Sequence, residues 1–303
     1  MLKKLACFIL FGNYFLGLCI VALSIETAVK NGFFLTNFSY YLFVFLTTVV
    51  YYTYAYMGDG NVKHTSNPRS QWYARNRQMI RRTQVVFSII ICIIVIYWCI
   101  EYYQSLLLLT VSNWLLPALF PFVALLYYGV IFPARFRFRL RNIAWLKPFI
   151  IGFVCTGVIA VYPLLFYALQ KQTAFHLSLL QVWYFFTNWL FTSVIAIMFD
   201  IKDFAADHNY RLKTFVVTKG LRRTIFFVLF PMAAASFAFF LVFAAARHFS
   251  LLQIIINAIP FLLLLAAAAS LQRRKKILYY LAVIDGLLLI KAVFGIGAIL
   301  LVM

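Results

Sequence analysis

The sequence predicts an all-α polytopic membrane protein: nine transmembrane helices in one domain spanning residues 1–303, with the N-terminus in the cytoplasm. Three observations carry that prediction. Of the 303 residues, 65% are hydrophobic and only 11% are charged, which is outside the range of soluble globular chains. The apolar residues fall into nine runs, each about long enough to cross the ~30 Å hydrocarbon core. The 27 lysines and arginines gather in alternate gaps between those runs, as they do in cytoplasmic loops.

The first run, Leu5 to Ser24, follows Lys3 and Lys4 as a secretory signal would, but it is long enough to span and is expected to stay as a helix. The second covers 33–57 and ends in a tyrosine-rich stretch. The third and fourth, 84–104 and 106–132, are separated only by Glu101-Tyr-Tyr-Gln104. The fifth (145–169) and sixth (177–199) precede the most acidic stretch of the chain. The seventh (223–246) opens after Gly220-Leu-Arg-Arg223, the eighth covers 250–271, and the ninth (277–302) follows Arg273 to Lys276.

With the N-terminus inside, the outer loops hold only Lys30, Lys171 and Arg247, and Lys291 lies within the last run. Every other basic residue falls on the cytoplasmic side, which supports both the orientation and the count. Two loops are long, 58–83 and 200–222, and both are cytoplasmic. The segment Arg135 to Arg141 alternates basic and apolar residues and reads as a stretch lying at anionic headgroups. The net charge of +20 does not indicate nucleic acid, because no domain outside the bilayer is large enough to bind it. The five cysteines lie in apolar runs without a CxxC pair, so neither a disulfide framework nor a zinc site is expected.

The whole chain has seven acidic residues, and three of them, Asp200, Asp203 and Asp207, fall within eight positions. If the sixth helix continues through them, the spacing stacks their carboxylates on one face. Anions at a helix C-terminus oppose its dipole and call for a cation, either a metal or basic partners such as Lys202, Arg211 and Lys213. Carboxylates followed by Arg211, Lys213, Lys219, Arg222 and Arg223 suit a metal-bridged phosphate or diphosphate: oxygen ligands hold magnesium, magnesium holds phosphate, and the cations neutralise the rest. His208 is expected to be solvated, since magnesium prefers oxygen.

Asp-x-x-Asp-x-x-x-Asp at the end of the sixth helix, then Lys213-Thr214 and Gly220-x-Arg222-Arg223, resembles the second aspartate motif of the UbiA superfamily of intramembrane prenyltransferases. Nine helices with long cytoplasmic loops after the second and sixth also match that family. Its first motif, Asn-x-x-x-Asp-x-x-x-Asp, departs here: with Asp59 as the central acid, Ala55 and Lys63 replace the flanking ligands. Asn67-Pro68-Arg69 is similar to the residues that follow it.

The resemblance implies a UbiA-type bundle that transfers an isoprenyl group from its diphosphate to an aromatic or lipid acceptor, with Mg2+. It implies a site facing the cytoplasm, in a membrane such as a prokaryotic inner or plasma membrane. Asp59, Asp200, Asp203 and Asp207 would be metal ligands, Lys63, Arg211 and Lys213 phosphate contacts, and Asn188 a substrate contact. Tyr51, Tyr52, Tyr54, Tyr56, Tyr184, Phe185 and Phe186 could wall the cavity and shield an allylic cation. The alternatives are a relative that binds an isoprenoid or lipid without ionising it, and a small transporter using Asp285 and Lys291. Those two residues, six apart, do not share a helix face, and each is expected to find its partner on another helix. Asn113, Gln181 and Asn188 are expected to form interhelical hydrogen bonds, with Asn188 also facing the cavity if the sixth helix carries the site.

Overall fold

The computed structural model describes residues 2–57, 67–129, 140, 143–209 and 213–301, excepting the side chains of 2, 3, 205–207 and 209. Among the described residues all regular structure is helical. In chain order the helices are α1 (Leu2–Phe11), α2 (Tyr14–Lys30), α3 (Phe38–Met57), α4 (Pro68–Arg75), α5 (Arg77–Glu101), α6 (Tyr103–Leu107) and α7 (Val111–Tyr128). They continue as α8 (Lys147–Lys171), α9 (Leu179–Asn209), α10 (Phe215–Lys219), α11 (Leu221–Ala246), α12 (Leu251–Ser270) and α13 (Ile277–Leu300).

Seven of these helices are long and apolar enough to cross a bilayer: α5, α7, α8, α9, α11, α12 and α13. The α1–α2 pair qualifies as a bent unit, with a 57° break. The chain is a multi-pass helical membrane protein. Its exposure pattern fits lipid on the outside, since only 11% of the apolar windows of α5 and α7 is buried, against 67% in α8. α2 packs on α3, α13 and α8, α9 packs on α8 and α11, and α12 bridges α11 and α13. Close approach of α8 to α9 depends on Gly152, where a Cβ would meet the Ser193 hydroxyl.

Sequence reading places one spanning helix at Leu5 to Ser24 and puts Lys30 in an outer loop. The structure differs on both counts. The helix breaks at Asn13, which adopts the left-handed conformation (φ 64°), and α2 then runs on to Lys30. Glu26 and Lys30 stay helical inside the protein because their charges meet each other and those of neighbouring helices, a long-range compensation that local hydropathy does not register.

Three helices contain a π-helical turn: Gly157–Val161 in α8, Ile225–Leu229 in α11 and Tyr280–Ile284 in α13. The first two have a simple cause. Pro163 and Pro231 follow directly, and each would clash with the carbonyl four residues back, so a widened turn accommodates the ring. No proline follows the third, which leads into Asp285-Gly286.

The short helices α4 and α10 lie at the chain end of the bundle where α3 and α9 finish, within the two long loops that the sequence singled out. Asn67 caps α4 by accepting from the Arg69 N–H at 3.0 Å, with Pro68 at the first helical position. Thr214 caps α10, whose Phe215 ring packs against Phe149 of α8. Gly220 (φ 80°) turns the chain from α10 into α11, in a conformation that a Cβ would strain.

Candidate functional site

α9 is continuous to Asn209, so positions 200, 203 and 207 do fall on one helix. Asp200 is buried, and the Lys147 ammonium at the start of α8 donates to its Oδ1 at 2.7 Å. Asp200 Oδ2 is buried with no hydrogen-bond partner among the described residues. Asp203, a turn further on, is partly exposed and lies 3.2 Å from the ammonium of Lys202. Lys213 is exposed just before Thr214. The Asp207 side chain and the whole of Asp59, Lys63 and Arg211 lie outside the described residues.

Magnesium fits what is present at this end. It needs only one or two carboxylates, taking its remaining oxygens from water and phosphate. Among the described residues Asp200 Oδ2 has no donor or cation, and Asp203, a turn further along α9, would be a second hard oxygen ligand. Among the described residues no group of three or more His, Cys, Asp or Glu side chains stands together as a metal site.

The sequence analysis did not single out Arg69 as a key residue. It is buried, and among the described residues it has no carboxylate in ion-pairing reach. Instead its guanidinium donates to the Phe11 carbonyl from Nε (3.2 Å) and Nη2 (3.1 Å), to Asn13 Oδ1, and to the Tyr56 hydroxyl at 3.0 Å. The Tyr56 ring lies 4.3 Å below it, stacked on Tyr73. Tyr73 donates to the same Phe11 carbonyl at 2.9 Å, and burial pushes its phenol up from the ordinary value. The α1–α2 break and α4 are therefore one structural unit, with the free carbonyl of the broken helix as its acceptor.

A second polar cluster lies toward the opposite end of the bundle. Glu26 of α2 gives one oxygen to Lys30 (2.5 Å) and the other to Lys291 of α13 (2.9 Å). Lys30 also donates to Asn257 of α12 at 2.7 Å, and Lys291 to Asn188 of α9 at 2.9 Å. The two asparagine amides donate to the carbonyls one turn back, Tyr184 and Gln253. Asn188 is thus taken up by this network, about 18 Å along α9 from Asp200 at 1.5 Å per residue. Lys291 does find partners on other helices. Asp285 does not: it is 6% exposed, and its side chain makes no hydrogen bond or ion pair among the described residues.

The tyrosines expected to wall a cavity separate. Tyr52 shares a hydrogen bond with Cys155 of α8 at 3.0 Å, and Tyr51 is largely enclosed with its hydroxyl unpartnered. Tyr54 is 47% exposed. The Tyr184 ring lies between the two lysines of the distal network, 5.4 Å and 5.5 Å from their ammonium groups. Phe185 and Phe186 pack on Trp189. Asn113 bridges to the Phe175 carbonyl, whereas Gln181 caps the start of its own helix. No family model matches this sequence, and no curated protein matches it.

Proposed function

We propose that the chain is a UbiA-like membrane protein that binds an isoprenyl diphosphate at the α4 and α10 end of the bundle and transfers the isoprenyl group to a lipophilic acceptor. The observation that carries this reading is the buried carboxylate of Asp200, with Lys147 on one oxygen and, among the described residues, no partner on the other, beside Asp203 toward the end of a membrane helix. Such an oxygen is costly in an apolar setting unless a ligand supplies a cation or a donor. Counting the bent α1–α2 pair as one crossing and α3 as another brings the seven apolar helices to nine, with the site in the cytoplasmic leaflet.

Asp200 and Asp203 would hold Mg2+, joined by Asp207 and Asp59. The metal, when bound, would neutralise charge on the departing diphosphate. Lys202, Lys213, Lys63 and Arg211 supply further positive charge for the phosphates. Lys147 holds Asp200 by its Oδ1 at 2.7 Å. A second reading, a relative that binds the diphosphate without ionising it, is favoured by one contact: Lys147 already occupies Asp200 Oδ1 and competes with a metal for that carboxylate.

The test is equilibrium binding of radiolabelled geranylgeranyl diphosphate to purified protein, with magnesium and with chelator. Magnesium-dependent binding, reduced about tenfold or more in Asp203→Ala and Asp200→Asn, is expected. Binding that ignores both chelator and substitution favours the non-ionising relative. Absence of binding overturns both readings.

A further inference from the structure

The long helices pack in a ring that fails to close at one seam. α2, α3 and α5 pack in succession, as do α7, α8, α9, α11, α12 and α13, and α13 packs back on α2. Among the described residues only α5 and α7, consecutive long helices of the chain, lack such packing along each other. The α13–α2 seam, by contrast, is held by the Lys291–Glu26 ion pair at 2.9 Å and by the close approach at Gly295. α5 is fixed to α3, and α7 to α8, where the Phe120 ring fills the space that a Cβ at Gly157 would need. Both flanks of the open seam are apolar and largely uncovered, with 11% of either window buried.

What the seam uncovers is a stripe of α3. Ring contacts mark its two ends: Phe43 lies 5.0 Å from Trp98 of α5, and Tyr54 lies 4.9 Å from Tyr128 of α7. Thr47 and Val50 fall between them on the same face and stay partly exposed. The Thr47 hydroxyl donates back to the Phe43 carbonyl at 2.7 Å, so the stretch between the rings is apolar. The stripe runs about 16 Å along α3 at 1.5 Å per residue. One end is closed by Trp98 against Phe166 of α8, 4.7 Å apart. At the other, Tyr128 donates to the Tyr51 carbonyl at 2.9 Å. Asn113 at the start of α7 reaches the Phe175 carbonyl beyond the end of α8, so the two helices are antiparallel. The Tyr128 end of the stripe is therefore the end where α8 begins at Lys147, which holds Asp200.

We propose that this seam is a lateral groove for the isoprenyl chain of the diphosphate. The chain enters from the bilayer between α5 and α7 and lies along Thr47 and Val50, with its head at Lys147 and Asp200. A gap at hydrocarbon depth holds hydrocarbon, because an unpartnered polar group there is too costly. Lipid tails are as apolar as the stripe, so hydrophobicity alone does not choose the occupant. The anchored head does: a chain tethered at Asp200 is held at high local concentration beside the groove. α7 is the pliable flank, since Pro121 has no N–H for the Pro117 carbonyl, which takes the Tyr162 hydroxyl at 3.0 Å instead. The identity of the chain rests on the diphosphate reading, whereas the opening itself does not.

The experiment uses the full chain in nanodiscs with two photoreactive probes, a phospholipid and a geranylgeranyl diphosphate, each carrying a diazirine in its hydrocarbon chain. Labelled residues are read by mass spectrometry. The phospholipid should label α3 at Thr47 and Val50 as well as the exposed faces of α5 and α7; a bare α3 overturns the opening. With magnesium the diphosphate probe should label the same stripe, and chelator should remove that label. Val50→Trp fills the groove from a partly exposed position and should abolish the α3 label, while magnesium-dependent binding of inorganic diphosphate persists. Leu252→Trp, on the exposed face of α12, should change neither. Label at the α2–α13 seam in place of α3, or α3 label undiminished by chelator or by Val50→Trp, overturns the groove. So does a dimer of the natural sequence that Val50→Trp dissociates, since a second copy then covers the stripe. If neither diphosphate binds, the diphosphate reading falls and the isoprenyl occupant with it, while the phospholipid label still decides whether the seam is open.

Discussion

The Glu26 carboxylate shows what a satisfied buried charge looks like here. Each of its oxygens meets one lysine, and each lysine finds an asparagine carbonyl on a further helix. Removing the acid leaves two buried ammonium groups without a counter-ion, whereas removing Lys291 along with it leaves only one. Glu26→Gln should therefore destabilise the protein by about 3–5 kcal/mol, read as a lowered unfolding midpoint in detergent. Glu26→Gln combined with Lys291→Met should recover part of that loss, because the repulsion between the two lysines is gone and Gln can still accept from Lys30. If the double variant is as unstable as the sum of the single ones, the network is not the coupled unit described here. Gly295 belongs to the same argument: a Cβ there would collide with the Glu26 carboxylate, so the glycine is what lets α13 approach α2.

At the level of elements, Arg69 joins α4 to the carbonyl left free by the α1–α2 break, to Asn13, and to Tyr56 of α3. The planar fork makes this possible, since Nε and both terminal nitrogens are used at once. Arg69→Lys keeps the charge but cannot span the three acceptors. It should cost about 1–3 kcal/mol and raise amide exchange at residues 12–16 and 68–75, leaving α12 and α13 unchanged. Exchange unchanged at both segments would show that the break is held by packing alone.

What sequence reading could see differs between the two ends of the molecule. The stacked acids at 200, 203 and 207 were legible because a helix repeat and a local excess of charge are both short-range signals. The Glu26 network was not, because its members lie at positions 26, 30, 188, 257 and 291 and only the packing of four helices brings them together. The break at Asn13 was equally hidden: Gly12-Asn13 inside an apolar run does not itself say that Arg69, far along the chain, will cover the exposed carbonyl.

Over the whole molecule, the proposed site requires α4, α10 and the loop before α13 to share one face of the membrane, the cytoplasmic one. If the proposed nine crossings alternate in direction, the C-terminal ends of α3, α9 and α12 lie together on one side, and Lys171 and Arg247 on the other. The asymmetry of basic residues then selects the sidedness, since lysine and arginine are retained on the cytoplasmic side. Single cysteines at exposed positions test this directly, in a background where Cys7, Cys19, Cys92, Cys99 and Cys155 are replaced. A membrane-impermeant maleimide applied to intact cells should label Lys171→Cys and Arg247→Cys, and should label Lys213→Cys and Lys276→Cys only after permeabilisation. The reverse pattern would turn the molecule over and place Asp200 at the outer leaflet, where a cytoplasmic diphosphate could not reach it. Labelling of Lys213→Cys and Arg247→Cys from the same side would break the alternation itself, and with it the nine-crossing arrangement on which the shared site depends.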